Sequence, residues 1–274
     1  MHDAATQWVV FTDLDDTLLD EQTYSWSAAR SGLELLAGRS IPLVLVTSKT
    51  LAEVEPLRRD MRLDGPFIVE NGAAVFVPPD SGWPEATDLP EVAGYRCRLF
   101  GRPYAEARRF MASQAARLGA RGFGDMTIDE ISARTALPAD AAGRAAERLF
   151  TEPCAVEPDR LAELDALARR AGFRILEGGR FYHVVAAGQD KGAAVRWLIA
   201  AYQRRWPGRR IITVGVGDSP NDLDFLSVVD APVIVRRPDG THIRTDGLPQ
   251  VLLAAGIGPA GWNLAIHRLL GDGR

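Results

Sequence analysis

Three short runs of apolar residues stand out along the chain, and each ends abruptly in polar side chains. Trp8-Val9-Val10-Phe11 runs into Thr12-Asp13-Leu14-Asp15-Asp16-Thr17. Ile41-Pro42-Leu43-Val44-Leu45-Val46 runs into Thr47-Ser48-Lys49-Thr50. Ile211-Ile212-Thr213-Val214-Gly215-Val216 runs into Gly217-Asp218-Ser219-Pro220-Asn221-Asp222. Runs this short, β-branched and continuously apolar predict buried parallel strands. Helical periodicity falls beside them, over 27–36, 51–59 and 193–204. In the last of these, Val195, Leu198, Ile199 and Tyr202 fall at helical spacing. Strands alternating with helices predict an α/β fold around a parallel sheet. Such a sheet binds ligands outside the carboxyl ends of its strands, and all three polar clusters fall there.

The middle of the chain reads differently. Pro and Gly appear from about Trp83, followed by a candidate strand over 95–100 and a helix over 104–118. Further helices are expected over 127–135, 139–150 and 160–171, and strands over 154–156, 173–176 and 181–186. The Ala/Arg-rich stretch 139–148 reads as a solvated helix. This mixture predicts an α+β unit, residues 84–188, inserted into one α/β core built from 1–83 and 189–274.

Composition narrows the function only a little. The 274 residues carry 36 acidic and 32 basic side chains, a net charge of −4, which argues against a nucleic-acid binder. No stretch approaches the roughly 18 apolar residues of a membrane span, and the N-terminus lacks the features of a secretory signal. Cys97 and Cys154 form no Cys-x-x-Cys pair. A reduced, cytoplasmic protein is the expectation.

The clusters carry the chemistry. Asp13 and Asp15, two apart on extended backbone, project to one side. Converging acids repel, so one is protonated or a cation sits between them. Mg²⁺ suits the place, since it accepts carboxylate, water and phosphate oxygens together. One aspartate can then attack phosphorus while the other moves protons. The alternative is a plain acidic turn. Thr47 and Ser48, at a strand-to-helix turn, suit a phosphate, whereas Thr50-Leu51-Ala52-Glu53 is a helix capping box. Lys49 reads equally as a solvated charge or a substrate contact. Lys191 opens a helix and can act as a point charge on phosphate, or be an ordinary surface lysine. Asp218 follows a Gly-x-Gly turn and reads as a metal ligand, with Asn221 and Asp222 behind it or at a helix cap.

Phe11-Thr12-Asp13-Leu14-Asp15-Asp16-Thr17 resembles the first motif, Asp-x-Asp-x-Thr, of the haloacid-dehalogenase-like phosphatase superfamily. A hydroxyl turn, a lysine and Gly-Asp-x-x-Asn-Asp then follow in that superfamily's order. The resemblance implies a Rossmann-like parallel-sheet core with a type-two cap. It makes Asp13 the nucleophile, Asp15 the general acid/base, and Thr47 and Ser48 phosphate contacts. It also makes Lys191 a neutralising charge. The Mg²⁺ ligands would be the Asp13 carboxylate, the Asp15 main-chain carbonyl and Asp218, with Asn221 and Asp222 orienting Lys191 or metal-bound water. Asp16 departs from the motif, where glycine is frequent.

More local text resembles the mannosyl-3-phosphoglycerate phosphatase family: Thr47-Ser48-Lys49-Thr50-Leu51-Ala52-Glu53, Pro66-Phe67-Ile68-Val69-Glu70-Asn71-Gly72, Gly178-Gly179-Arg180-Phe181-Tyr182-His183 and Arg237-Pro238-Asp239-Gly240. That resemblance implies a small phosphosugar partner, a glycosyl-3-phosphoglycerate, with no nucleic acid and no membrane, in a monomer or homodimer. The product would be mannosylglycerate, a compatible solute. Glucosyl-3-phosphoglycerate, another sugar phosphate or phosphomannomutase-like chemistry remain alternatives. Arg180 could fork onto the glycerate carboxylate, and Glu70 and Asn71 could take sugar hydroxyls. Asn71-Gly72 reads equally as a hairpin turn. Tyr182 and His183 read as packing or rim residues.

Overall fold

The computed structural model describes residues 6–79, 81–178, 181–248 and 250–271. In chain order it begins with β1 (Thr6–Thr12), α1 (Arg30–Gly38), β2 (Leu43–Leu45), α2 (Leu51–Asp60) and β3 (Phe67–Val69). Next come β4 (Ala74–Val77), β5 (Glu91–Val92), β6 (Tyr95–Leu99), α3 (Tyr104–Leu118) and β7 (Arg121–Gly122). They are followed by α4 (Ile128–Thr135), α5 (Ala139–Ala146), β8 (Glu152–Ala155), α6 (Leu161–Arg170), β9 (Phe173–Glu177) and β10 (Tyr182–Ala186). The chain then forms α7 (Lys191–Arg205), β11 (Arg210–Gly217), α8 (Leu223–Leu226), β12 (Ala231–Arg236), β13 (Leu252–Ile257) and α9 (Gly258–Leu270). No helix of the described residues is long and apolar enough to cross a membrane.

The core is a parallel sheet in the order β13-β12-β11-β1-β2. Its strands read as unbroken apolar runs because both faces are covered. Val10, Val214 and Val233 face α1 and α9 through Leu36, Trp262 and Ile266. Val9, Phe11 and Ile234 face α7 and α8 through Leu198, Tyr202 and Phe225. One parallel bridge, Val46 to Ile68, carries the sheet on to β3. There it continues antiparallel as β3-β4-β6-β5.

That continuation corrects one expectation. Residues 95–99 were assigned to the insertion, but β6 pairs with β4 from Ala74 opposite Leu99 to Val77 opposite Arg96. Trp83, at the expected end of the core segment, stacks edge-on against Tyr202 of the core, 4.7 Å between ring centres. Core packing therefore runs past 83 to Leu99. The physical reason is the hairpin: β4 has a free edge, and β6 is the next segment able to pair with it.

The inserted cap has its own antiparallel sheet, β7-β8-β10-β9. One face packs on α3 and α6 through Phe110, Met111, Leu164, Cys154 and Val184. Helices α4 and α5 form a small second cluster around Phe123, Ile131 and Ala142. Both cysteines are buried and free. Helix α5 was expected to reach 150 but ends at Ala146. The backbone N–H groups of 149–151 leave the helical ladder to bind Glu70 instead.

Thr50 caps α2 as its spacing predicts: its hydroxyl accepts from Glu53 N at 3.1 Å, and Glu53 accepts from Thr50 N at 2.9 Å. The same hydroxyl donates to the carbonyl of Arg144 in the cap, 2.8 Å away. Thr50→Ala is expected to cost about 1 kcal/mol in urea unfolding through the cap alone. A cost well below that would show that the capping box contributes little.

Candidate active site

The carboxyl ends of β1, β2 and β11 lie side by side, with Val46 N, just past β2, donating to Thr12 O at 2.8 Å. Asp13 leaves β1 with its N–H on Val216 O of β11, 2.9 Å. Lys191, the first residue of α7, sends its ammonium to Asp13 Oδ1 and to Asp222 Oδ1, each at 2.7 Å. A cation at a helix N-terminus opposes the macrodipole by about 0.3–1 kcal/mol. Two buried carboxylates outweigh that penalty, and Lys191 is only 2% exposed. Its amine is pulled down by burial, but Asp13 and Asp222 reverse this and hold it above the ordinary lysine range.

Asp222 does two things at once. Its Oδ1 receives Lys191, and its Oδ2 accepts from Asp218 N at 3.1 Å, Ser219 N at 3.0 Å and Ser219 Oγ at 2.8 Å. It thereby closes a capping box on the turn carrying Asp218. Gly217 is required beside it, since an added Cβ would lie 2.7 Å from the Asp222 side chain. Asp218 Oδ1 accepts from Thr17 Oγ1 at 2.8 Å. Arg237 Nε donates to the Asp218 carbonyl at 3.1 Å.

Carboxylate oxygens of Asp13, Asp218 and Asp222 lie within 4.8 Å of one another. Burial, then the neighbouring Asp222, raises Asp13 well above its usual range, against the pull of Lys191. Burial and Asp222 push Asp218 up to about 7, opposed by the Thr17 hydrogen bond. One lysine therefore does not balance the cluster, and the donor set fits a hard divalent cation. The Asp15 carboxylate stands outside this trio. Its Oδ1 pairs with Lys49 at 2.8 Å. Asp222 brings its carboxylate to the acid cluster, where the sequence pointed to Asp13, Asp218 and the Asp15 carbonyl.

The hydroxyl turn lies alongside. Thr47 is fully buried, with its N–H on Ile68 O and its carbonyl accepting from Asn71 N. Its hydroxyl accepts from Lys49 N at 3.1 Å. The carbonyl of half-buried Ser48 receives Arg148 Nη2 from the cap at 3.1 Å. Asn71 is 1% exposed, and its Oδ1 accepts from Asn221 Nδ2 at 3.2 Å. Its own Nδ2 finds no partner among the described residues. Asn71 thus spans the turns of Thr47 and Asn221 and leaves one buried donor to offer. The Asn71-Gly72 turn also joins β3 to β4, so the hairpin reading holds as well.

Glu70, Asn71 and Gly72 all have positive φ, at 48°, 58° and 82°. At Gly72 a Cβ would sit 2.2 Å from Asp190 O, so only glycine fits. Glu70 is not available to a sugar. Its carboxylate takes Leu149 N, Phe150 N, Thr151 N and Thr151 Oγ1, between 2.7 and 3.1 Å. Arg148 lies 3.4 Å from it. That buried junction was missed in the sequence, where Arg148 read as a solvated helix residue. Tyr182 packs in the cap cluster. His183 keeps a buried Nδ1 that finds no partner among the described residues, and burial together with Arg148 and Lys191 pushes its pKa down to about 3. Arg180, expected on the glycerate carboxylate, lies outside the described residues.

Residues 10–86 match the sequence pattern of a haloacid dehalogenase-like hydrolase. A glucosyl-3-phosphoglycerate/mannosyl-3-phosphoglycerate phosphatase of Persephonella marina is 41% identical over 266 residues, 96% of this chain and 97% of that one. A phosphatase of the same name from Methanococcoides burtonii is 39% identical, over 96% and 97% of the two chains. A haloacid dehalogenase-like hydrolase of Bacteroides thetaiotaomicron shares the fold, with a TM-score of 0.69 and 16% identity over 96% of this chain and 99% of that one. With such identity along nearly its whole length, and with Asp13, Lys191 and Asp218 gathered where the sequence order puts them, the chain belongs to the haloacid dehalogenase-like hydrolases, in one family with those two phosphatases.

Proposed function

We propose that this enzyme is a Mg²⁺-dependent phosphatase that removes phosphate from mannosyl-3-phosphoglycerate and accepts the glucosyl counterpart. The observation carrying the chemistry is the buried Asp13–Lys191–Asp222 array at the ends of β1 and β11, next to the hydroxyl turn. The two sugars are proposed because both relatives bear both in their names.

Asp13 attacks phosphorus, forming an aspartyl-phosphate as the bond to the glycerate oxygen breaks. Asp15 gives that oxygen its proton. It then takes one from the water that splits the aspartyl-phosphate, releasing inorganic phosphate and restoring Asp13. Lys191, Thr47 and Ser48 face the charge that develops on the transferring group. Asn71 offers its buried Nδ2 to the substrate, and Asn221 and Asp222 orient the surrounding groups. Asp13, Asp218 and the Asp15 carbonyl would hold Mg²⁺, which when bound supplies charge neutralisation for nucleophile and phosphate. The cap closes over this site and contributes specificity, with Arg180 proposed for the glycerate carboxylate.

Phosphate release from the mannosyl and glucosyl substrates, side by side, tests the reading. Both should release phosphate with Mg²⁺, and EDTA should reduce the rate at least about a hundredfold if the metal stabilises several kcal/mol of charge. Release from neither, alongside turnover of an unrelated sugar phosphate, would overturn the substrate assignment. Asp218→Asn should raise the Mg²⁺ concentration needed for half-maximal rate by roughly tenfold or more. An unchanged requirement would remove Asp218 from the metal site.

A further inference from the structure

Lys49 is a buried cation that the mechanism above does not use. Its backbone is pinned from both sides: its N–H donates to Thr47 Oγ1 at 3.1 Å, and its carbonyl accepts from Glu70 N at 3.0 Å. Its ammonium sits 2.8 Å from Asp15 Oδ1, 3.5 Å from Glu53 Oε1 and 5.1 Å above the Tyr24 ring. Glu53 in turn is fixed by the Thr50 capping box. The exposures are unequal: the Lys49 side chain is 10% exposed, that of Asp15 40%.

An aspartate that open to water samples several rotamers, and a proton donor works only within hydrogen-bond reach of the leaving oxygen. A rigid buried partner removes that freedom. We propose that Lys49 is a positioning residue, which holds the Asp15 carboxyl in the rotamer that reaches the leaving-group oxygen. The phosphoryl cradle and the proton donor are thereby set by one piece of backbone, since Thr47, Ser48 and Lys49 are consecutive. The assignment rests on Asp15 being the general acid of the proposed phosphatase, but it does not depend on which sugar the substrate carries.

The test compares leaving groups. An alkyl phosphate needs its departing oxygen protonated; p-nitrophenyl phosphate, whose phenolate leaves unaided, hardly does. Lys49→Met should lower kcat/KM on the alkyl substrate by about 10- to 100-fold, a fraction of what general acid catalysis supplies; kcat/KM ends at departure of the leaving oxygen and so excludes the later hydrolysis, common to both esters, in which Asp15 is the base. The loss on p-nitrophenyl phosphate should be at least about tenfold smaller, and Lys49→Arg should recover part of the alkyl rate. In an Asp15→Asn background the Lys49→Met change should add little, because its effect passes through Asp15. Equal losses on both esters, or full additivity with Asp15→Asn, would assign Lys49 a merely structural part and overturn the proposal. So would an undiminished alkyl rate. If the wild type splits no glycosyl-3-phosphoglycerate, the substrate assignment fails alone. The comparison is then made on whichever sugar phosphate it does split.

Discussion

Replacing Asp13 by asparagine is expected to lower phosphate release by about ten-thousand-fold or more, the scale seen when a covalent nucleophile is removed. The side chain keeps its shape and an acceptor for Lys191, but an amide oxygen does not attack phosphorus. The fold should survive. Lys191 retains Asp222 at 2.7 Å, and one negative charge leaves a cluster that holds three acids against a single lysine. Thermal unfolding should therefore move by only a few degrees, on the scale of about 1 kcal/mol in a chain of this size. Measured together, the two readouts separate chemistry from folding. More than a hundredth of the wild-type rate in a folded Asp13→Asn enzyme would remove Asp13 as nucleophile.

The largest effect on stability is expected at Glu70, which sequence reasoning placed on the sugar. Glu70→Ala strands three backbone N–H groups and the Thr151 hydroxyl in a buried place. It also leaves the buried Arg148 guanidinium without its carboxylate. Breaking a buried charged pair from one side costs about 3–5 kcal/mol. At roughly 2–4 °C per kcal/mol, the midpoint should fall by about 10 °C. Arg148→Met in the Glu70→Ala background should cost less than Arg148→Met alone, since the stranded cation is then gone. Hydrogen exchange at 149–151 would rise with it, because those amides lose their acceptor. A Glu70→Ala enzyme within 1 kcal/mol of wild type would show that water replaces the carboxylate.

What the sequence disclosed follows from how local each signal is. β1, β2 and β11 were legible because a strand buried on both faces is an unbroken apolar run. β13 and α9 were not: Leu252–Ile257 mixes Ala and Gly at the sheet edge and leads straight into Gly258-Pro259. Asp13, Asp15, Thr47 and Asp218 were legible as strand-end polar clusters. Lys191 gained its meaning only from its order among them. The Glu70–Arg148 junction joins residues 78 positions apart in the numbering, the one read alone as a sugar contact and the other as part of a solvated helix. Only folding shows that both are buried. The dual use of Asp222, and the side on which Lys49 falls, are likewise matters of distance that spacing along a chain does not encode.

The position of β1 has a consequence for biosynthesis. This first strand pairs with β2 on one edge and with β11 on the other. Thr17, just beyond it, bonds to Asp218 across 201 residues. At about 5–20 residues per second, a ribosome needs roughly 10–40 s to deliver that second partner. Throughout this time the emerging chain carries an apolar strand with one open edge, and Asp13 waits first for Lys191 and then for Asp218 and Asp222. Catalytic competence therefore arrives late and all at once, with the C-terminal third, and the nascent N-terminal third is the stage at which this protein most needs protection from association.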